Sequence, residues 1–263
     1  MKGTPQRLDA LMVERGLAES RSRARGMILA GAVRVGDEVV TKAGFRVPPD
    51  EALSVERGDR FVSRAGEKLD AALDEFGVDV QGRSCLDAGA STGGFTDVLL
   101  GRGAGRVISA DVGYGQLAWS LREDPKVTVL ERTNVRHLRG EDLPFTPDFL
   151  VADLSFISLA VALKTLLSTT PLLREAVVLV KPQFEAGPKL VGRGGLVRDP
   201  RVRADIILSL ASSFAAMGFG AVGVARAAVA GRKSGNQEYP LRLLRDAPTT
   251  LNEDAVREVV AGA

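Results

Sequence analysis

The chain carries one cysteine, one histidine and one tryptophan in 263 residues, and aromatic side chains make up only 5% of it. The lone thiol, Cys85, excludes an internal disulfide and any zinc site built from several cysteines. It fits a reducing cytoplasm, and no metal is expected. Nowhere do about 18 apolar residues run uninterrupted. Arg7, Asp9, Glu14 and Arg15 break up the N-terminal stretch, so neither a signal peptide nor a membrane span is expected. Excess charge of one sign is nearly lacking too, with 35 Lys and Arg against 33 Asp and Glu. That small excess is confined to residues 1–63, which hold 11 basic and 9 acidic side chains; the remainder holds 24 of each. Within the basic part, Arg21, Arg23 and Arg25 cluster. Such a patch suits a phosphate backbone better than a membrane surface, which would also want a strongly apolar face. From the charges alone, a merely solvated basic helix is the alternative.

What is present is ordinary for a globular protein: 45% hydrophobic and 26% charged residues. At about 150 residues per domain, the length predicts one large domain with a small appendage. Residues 5–16 read as a short helix ending at Gly16, and a second helix starts at Ser20 or Ser22 and runs to Gly31. Alternating segments around Gly36-Asp37 and at 52–55 then predict a hairpin and a further strand. This small α+β module is assigned to 1–57, with 58–63 as linker and 64–263 as the main domain. Beyond the linker, strands at 84–88, 106–110, 127–130, 149–152, 176–180, 221–228 and 239–244 alternate with helices. That alternation predicts an α/β fold with a mostly parallel, seven-stranded sheet covered on both faces.

The stretch Leu86-Asp87-Ala88-Gly89-Ala90-Ser91-Thr92-Gly93-Gly94-Phe95 joins the first of these strands to its helix, where an open α/β sheet binds nucleotide-like ligands. Its spacing is G-x-x-x-G-G, not G-x-G-x-x-G, and no Lys-Ser/Thr follows Gly94. A pyrophosphate wants converging N–H groups and no acid nearby. S-adenosylmethionine has no phosphate and carries an amino-acid tail, whose ammonium suits an acid such as Asp87. Asp111, ending the second strand, is placed to hold ribose hydroxyls. A lone glycine loop serves a tight turn as readily as a cofactor; Asp87 and Asp111 together favour the cofactor.

Asp153, Lys181 and Glu238 stand at further strand ends around the same cleft. One charged residue at a strand end is usually a solvated anchor, but three around one cleft are harder to dismiss. Cys85 sits inside an apolar strand, which argues against methylation through a cysteine adduct. Asp153-Leu154-Ser155-Phe156 lacks the prolines of an amino-methylating loop, and His137 lies in a polar loop. A Lys/carboxylate set suited to orienting and deprotonating a hydroxyl remains.

Five segments then carry a resemblance: Asp87 to Thr96, Ala110 to Leu117, Arg132-Thr133-Asn134, Ala152 to Ser158, and Val180 to Glu185. On these, residues 64–245 resemble the FtsJ-type ribose 2'-O-methyltransferases, a Rossmann-like fold, and the whole chain resembles the TlyA family of ribosomal RNA methyltransferases, sometimes labelled haemolysins. Residues 7–55 are similar to the small RNA-binding module of a ribosomal protein, through Arg7-Leu8-Asp9, Ser20 to Ala24 and Gly31 to Val35. The resemblance implies a tetrad of Lys68, Asp153, Lys181 and Glu238, with Lys181 activating or orienting the hydroxyl. It implies S-adenosylmethionine held by Asp87, Gly89, Ser91, Thr92, Gly93, Gly94, Phe95, Asp111, Asn134 and Asp153. RNA is then expected on Arg7, Arg21, Arg23 and Arg25. The implied activity is 2'-O-methylation of cytidine in 16S and/or 23S ribosomal RNA, free or in ribosomal subunits. The rival readings are a ribosome-assembly factor without turnover, and a haemolysin.

Overall fold

A computed structural model describes residues 4–18, 20–29, 31–55, 60–187, 190–192, 194–229 and 236–262. The chain divides into two compact units, 1–60 and 61–263. Arg57, Gly58 and Asp59, at the expected junction, lie outside the described residues, as do Ser234 and Gly235 ahead of Glu238.

In the smaller unit, helices Leu8–Glu14 and Arg21–Leu29 pack on a three-stranded antiparallel sheet of Val33–Val35, Glu38–Val39 and Leu53–Val55. The first helix starts later than the sequence predicts, because Gln6 and Arg7 are extended and pair antiparallel with Arg46 and Val47. Ser20, not Ser22, caps the second helix, accepting from Arg23 N–H at 3.2 Å. Leu8, Leu11, Met12, Ala24, Ile28 and Val33 are sealed inside.

The larger unit is built on one sheet: β1 (Ser84–Ala88), β2 (Arg106–Ala110), β3 (Val127–Leu130), β4 (Phe149–Ala152), β5 (Glu175–Val180), β6 (Phe219–Val224) and β7 (Tyr239–Arg245). Their order is β6-β7-β5-β4-β1-β2-β3, with β7 alone antiparallel to its neighbours. Strand side chains alternate between faces. Leu86, Ile108, Leu150 and Val178 therefore meet helices Leu159–Thr169, Pro200–Ala215 and Glu253–Ala261. Their neighbours Cys85, Val107, Phe149 and Val177 meet helices Ala65–Glu75 and Gly94–Gly101. That is why these strands read as nearly continuous apolar runs, interrupted in β1 by Asp87 and in β2 by Ser109. Each such side chain contributes about 1.5–3 kcal/mol on burial, which lets the sheet carry strained turns at its ends.

The C-terminal helix Glu253–Ala261 went unread in the sequence, although Asn252 caps it by accepting from Ala255 N–H at 2.8 Å and Val256 and Val260 face inward. Cys85 is fully buried, and burial pushes its thiol up to about 12. The native protein is therefore expected to resist alkylation at neutral pH; labelling at the rate of a free thiol would overturn this placement.

Candidate active site

The segments that follow β1, β2, β3 and β4 surround a cavity of about 580 Å³, a size ordinary for a nucleoside-like ligand. Gly89, Ser91, Asp111, Asn134 and Asp153 are in its wall. A smaller cavity of about 230 Å³ shares Gly89, Ser91 and Asp153 with it, and adds Thr92, Phe95 and Lys181.

Gly89 has φ +88°, and a Cβ there would stand 2.6 Å from the backbone oxygen of Asp153. Only glycine lets the two strand ends approach so closely. Gly93, at φ +98°, precedes the helix Gly94–Gly101, and both glycines are buried outside the cavity walls. Asp111 is held at both oxygens, accepting from Ser91 N–H at 2.9 Å and Gly113 N–H at 2.6 Å. Each oxygen keeps a further lone pair for another donor. Asn134 Oδ1 accepts from Arg136 N–H at 3.0 Å, fixing the turn at Val135–His137.

The structure places Asp87 beneath the loop rather than in the cavity wall. It is fully buried, and Thr96 Oγ1 donates to its Oδ2 at 2.7 Å. Thr96 in turn must accept from Ser109 Oγ, also at 2.7 Å. The chain of three ties the helix to β1 and β2. Oδ1 is left without a partner, and burial, opposed by the Thr96 hydrogen bond, pushes the carboxyl up to about 7.

The four tetrad residues stand as two ion pairs. Lys68 Nζ donates to Glu238 Oε2 at 2.6 Å, with both side chains largely buried. Lys181 pairs with Asp153 and donates to Ser155 Oγ at 3.0 Å. Val180 is in register with Tyr239, so one residue further Lys181 lies across from Glu238. Ser155 received no role from the sequence, although it lies in a quoted segment; it touches Lys181 and lines both cavities.

The expected RNA-binding arginines are not equivalent. Arg7 is bidentate to the buried Asp9, at 2.9 and 3.0 Å, and Arg21 reaches the same carboxylate at 3.4 Å. The Arg7 hydrogen bond, opposed by burial and helped by Arg21, holds the Asp9 carboxyl below its ordinary range. On helix Arg21–Leu29, Ala24 and Ile28 face the core. At 100° per residue, Arg21 and Arg25 flank one side of that stripe and Arg23 the other. All three are exposed.

The polar groups at the larger cavity fit S-adenosylmethionine: two carboxylates, Asp111 and Asp153, and two amides, Asn134 and Gln116, line it together with Arg136, and the glycine turn admits close backbone approach. Among the described residues no group of three or more His, Cys, Asp or Glu could hold a metal ion. An FtsJ-like methyltransferase family model matches residues 61–244, and an S4 domain model matches residues 6–53. The chain is 48% identical over 261 residues to the 16S/23S rRNA (cytidine-2'-O)-methyltransferase TlyA of Mycobacterium tuberculosis, covering 97% of each. It is 40% identical over 234 residues to Hemolysin A of Brachyspira hyodysenteriae, covering 89% of this chain and 97% of that one. A solved structure from Streptococcus thermophilus superimposes with a TM-score of 0.75 at 35% identity, over 98% of this chain and 95% of the other. Among the described residues no helix is long and apolar enough to cross a membrane.

Proposed function

The chain belongs to the FtsJ-like methyltransferases of the TlyA family, and on that premise we propose that it methylates the 2'-hydroxyl of cytidine in ribosomal RNA, 16S, 23S or both. When bound, S-adenosylmethionine supplies an electrophilic methyl group. Asp111 and Asn134 hold its nucleoside end, and the loop from Gly89 to Phe95 shapes the room for its amino-acid end. The observation that carries the reading to a hydroxyl is the Lys181–Asp153 pair in the wall of the smaller cavity.

Lys181 Nζ donates to Ser155 Oγ and forms an ion pair with Asp153. In the transfer the methyl–sulfonium bond would break as the ribose oxygen–methyl bond forms, leaving a neutral thioether, and the hydroxyl would give up its proton. Lys181 Nζ, held by Asp153 and Ser155, is the group placed to activate or orient that hydroxyl. Glu238 and Lys68 lock the neighbouring strand end, so the geometry is set before substrate arrives. An rRNA substrate is met in the cytoplasm, where we place the enzyme.

Purified protein, labelled S-adenosylmethionine and ribosomal RNA or subunits test the reading. Label is expected on cytidine ribose in 2'-O-methyl mapping. Label on a base overturns it, and binding without any transfer favours the assembly factor.

Two further outcomes are expected. Asp111→Ala should weaken S-adenosylmethionine by about 10- to 150-fold, the equivalent of ~1.5–3 kcal/mol of hydrogen bonding to a charged group. RNA affinity should not change, and unaltered calorimetric binding of the cofactor would remove Asp111 from the site. Arg21→Ala with Arg25→Ala should weaken RNA of any sequence and flatten the slope of log affinity against log salt by roughly 1.5. A full salt slope in this double variant would make these arginines ordinary surface charge.

A further inference from the structure

Beyond residue 63 acidic and basic residues are equal in number, yet the fold does not spread them evenly. Several arginines of the larger unit have carboxylate partners: Arg83 pairs with Asp148 and Glu175, Arg102 with Asp70 and Asp74, Arg122 with Glu131. Arg136, His137 and Lys164 are different. All three are exposed, and among the described residues no carboxylate pairs with any of them. They line one open groove of about 560 Å³ that has no acidic residue in its wall. Val161 and Met217 give the groove an aliphatic lining.

The groove is connected to the site by one short turn. Asn134, in the wall of the larger cavity, caps the turn Val135–His137, which carries Arg136 and His137. Arg136 lines both the cavity and the groove. On the helix Leu159–Thr169, Val161, Lys164 and Thr165 share one face at i, i+3 and i+4 spacing and form the opposite wall. Arg136 and Lys164, cations that no carboxylate pairs with among the described residues, stand beside apolar surface in a groove without acids, an arrangement that suits a chain of phosphates with sugar between them. A guanidinium binds a phosphate in bidentate fashion, and an ammonium does so as a point charge.

We propose that this groove is an RNA-docking surface on the larger unit, holding backbone phosphates of the strand whose nucleotide enters the active site. The proposal rests on the rRNA-methyltransferase reading. It differs from the arginines of the smaller unit in being contiguous with the cofactor cavity, so it would set which nucleotide arrives rather than merely raise affinity.

Filter binding of ribosomal RNA transcripts across a salt series tests it, with methyl transfer by the unaltered protein followed in parallel. Arg136→Gln with Lys164→Gln is expected to weaken RNA binding about tenfold or more at 0.1 M salt, and to lower the salt slope by about 1.5. Lys164→Gln alone should raise the KM for RNA without changing cofactor affinity, since Lys164 is outside the cofactor cavity. Arg174→Gln, which removes an exposed charge elsewhere, serves as control. Combined with Arg21→Ala and Arg25→Ala, the losses in slope should add. Wild-type affinity and slope in the Arg136/Lys164 variant overturn the docking surface. Equal losses in the Arg174 control also overturn it, by showing a net-charge effect only. If the unaltered protein binds RNA through the groove but transfers no methyl group, the proposed activity fails while the surface stands.

Discussion

Lys181→Ala is expected to lower methyl transfer by about 10²–10⁴-fold, the range for loss of a positioned proton-transfer group, with S-adenosylmethionine affinity nearly unchanged. The lysine lies in the smaller cavity, while the nucleoside-holding groups Asp111 and Asn134 line the larger one. Removing the amine leaves Asp153 without its ionic partner, so part of the loss would come from a displaced carboxylate. Lys181→Arg separates the two effects. It keeps a cation for Asp153, but a guanidinium does not give up its proton in a protein. Activity restored by arginine would show that charge and position suffice. Equal losses of turnover and cofactor binding in the alanine variant would make Lys181 a structural residue.

Gly89→Ala should cost about 2–4 kcal/mol of folding free energy and lower the melting temperature of the larger unit by roughly 5–15 °C. Two independent strains add at this position. An alanine is forced to φ +88°, and its Cβ meets the Asp153 carbonyl oxygen 2.6 Å away. The obstacle is backbone at the end of β4 and cannot swing aside as a side chain would. Relief requires β1 and β4 to part, which opens the wall shared by the two cavities. Cofactor affinity should therefore fall together with stability. A variant that melts with the wild type and binds the cofactor normally would show that the approach of the strands is not rigid.

The parts of the site legible in the sequence are those whose signal is local. The glycine loop, Asp111, Asp153, Lys181 and Glu238 each sit at the end of an apolar run, and the alternation of strands and helices says which ends coincide. Lys68 carries no local signal: it is one lysine on an amphipathic helix, and its partner Glu238 lies 170 residues away. Asp87 was read as a ligand for an ammonium because it heads the loop. Sequence position gives no depth, and the structure puts it under the loop with Thr96. Nothing in the sequence links Arg21 to Asp9; folding brings the two together. The extended pair Gln6–Arg7 was missed because its partner strand is 40 residues on. The place of β7 between β5 and β6 is likewise a matter of long-range pairing that hydrophobic pattern does not encode.

That order of strands has a consequence for how the molecule is assembled. β6 touches the sheet only through β7, the strand that follows it, so it cannot dock when it is made. Until Tyr239–Arg245 has been synthesised, β5 presents a bare edge of Val and Leu, the kind of template that recruits another chain. Glu238 and Lys68 are 170 residues apart in the chain, so their ion pair waits for the C-terminal strand to be made. The cofactor cavity, drawn from residues 89–162, can form earlier. The pairing of β7 with β5 therefore does two things at once: it covers that edge and brings Glu238 to complete the tetrad.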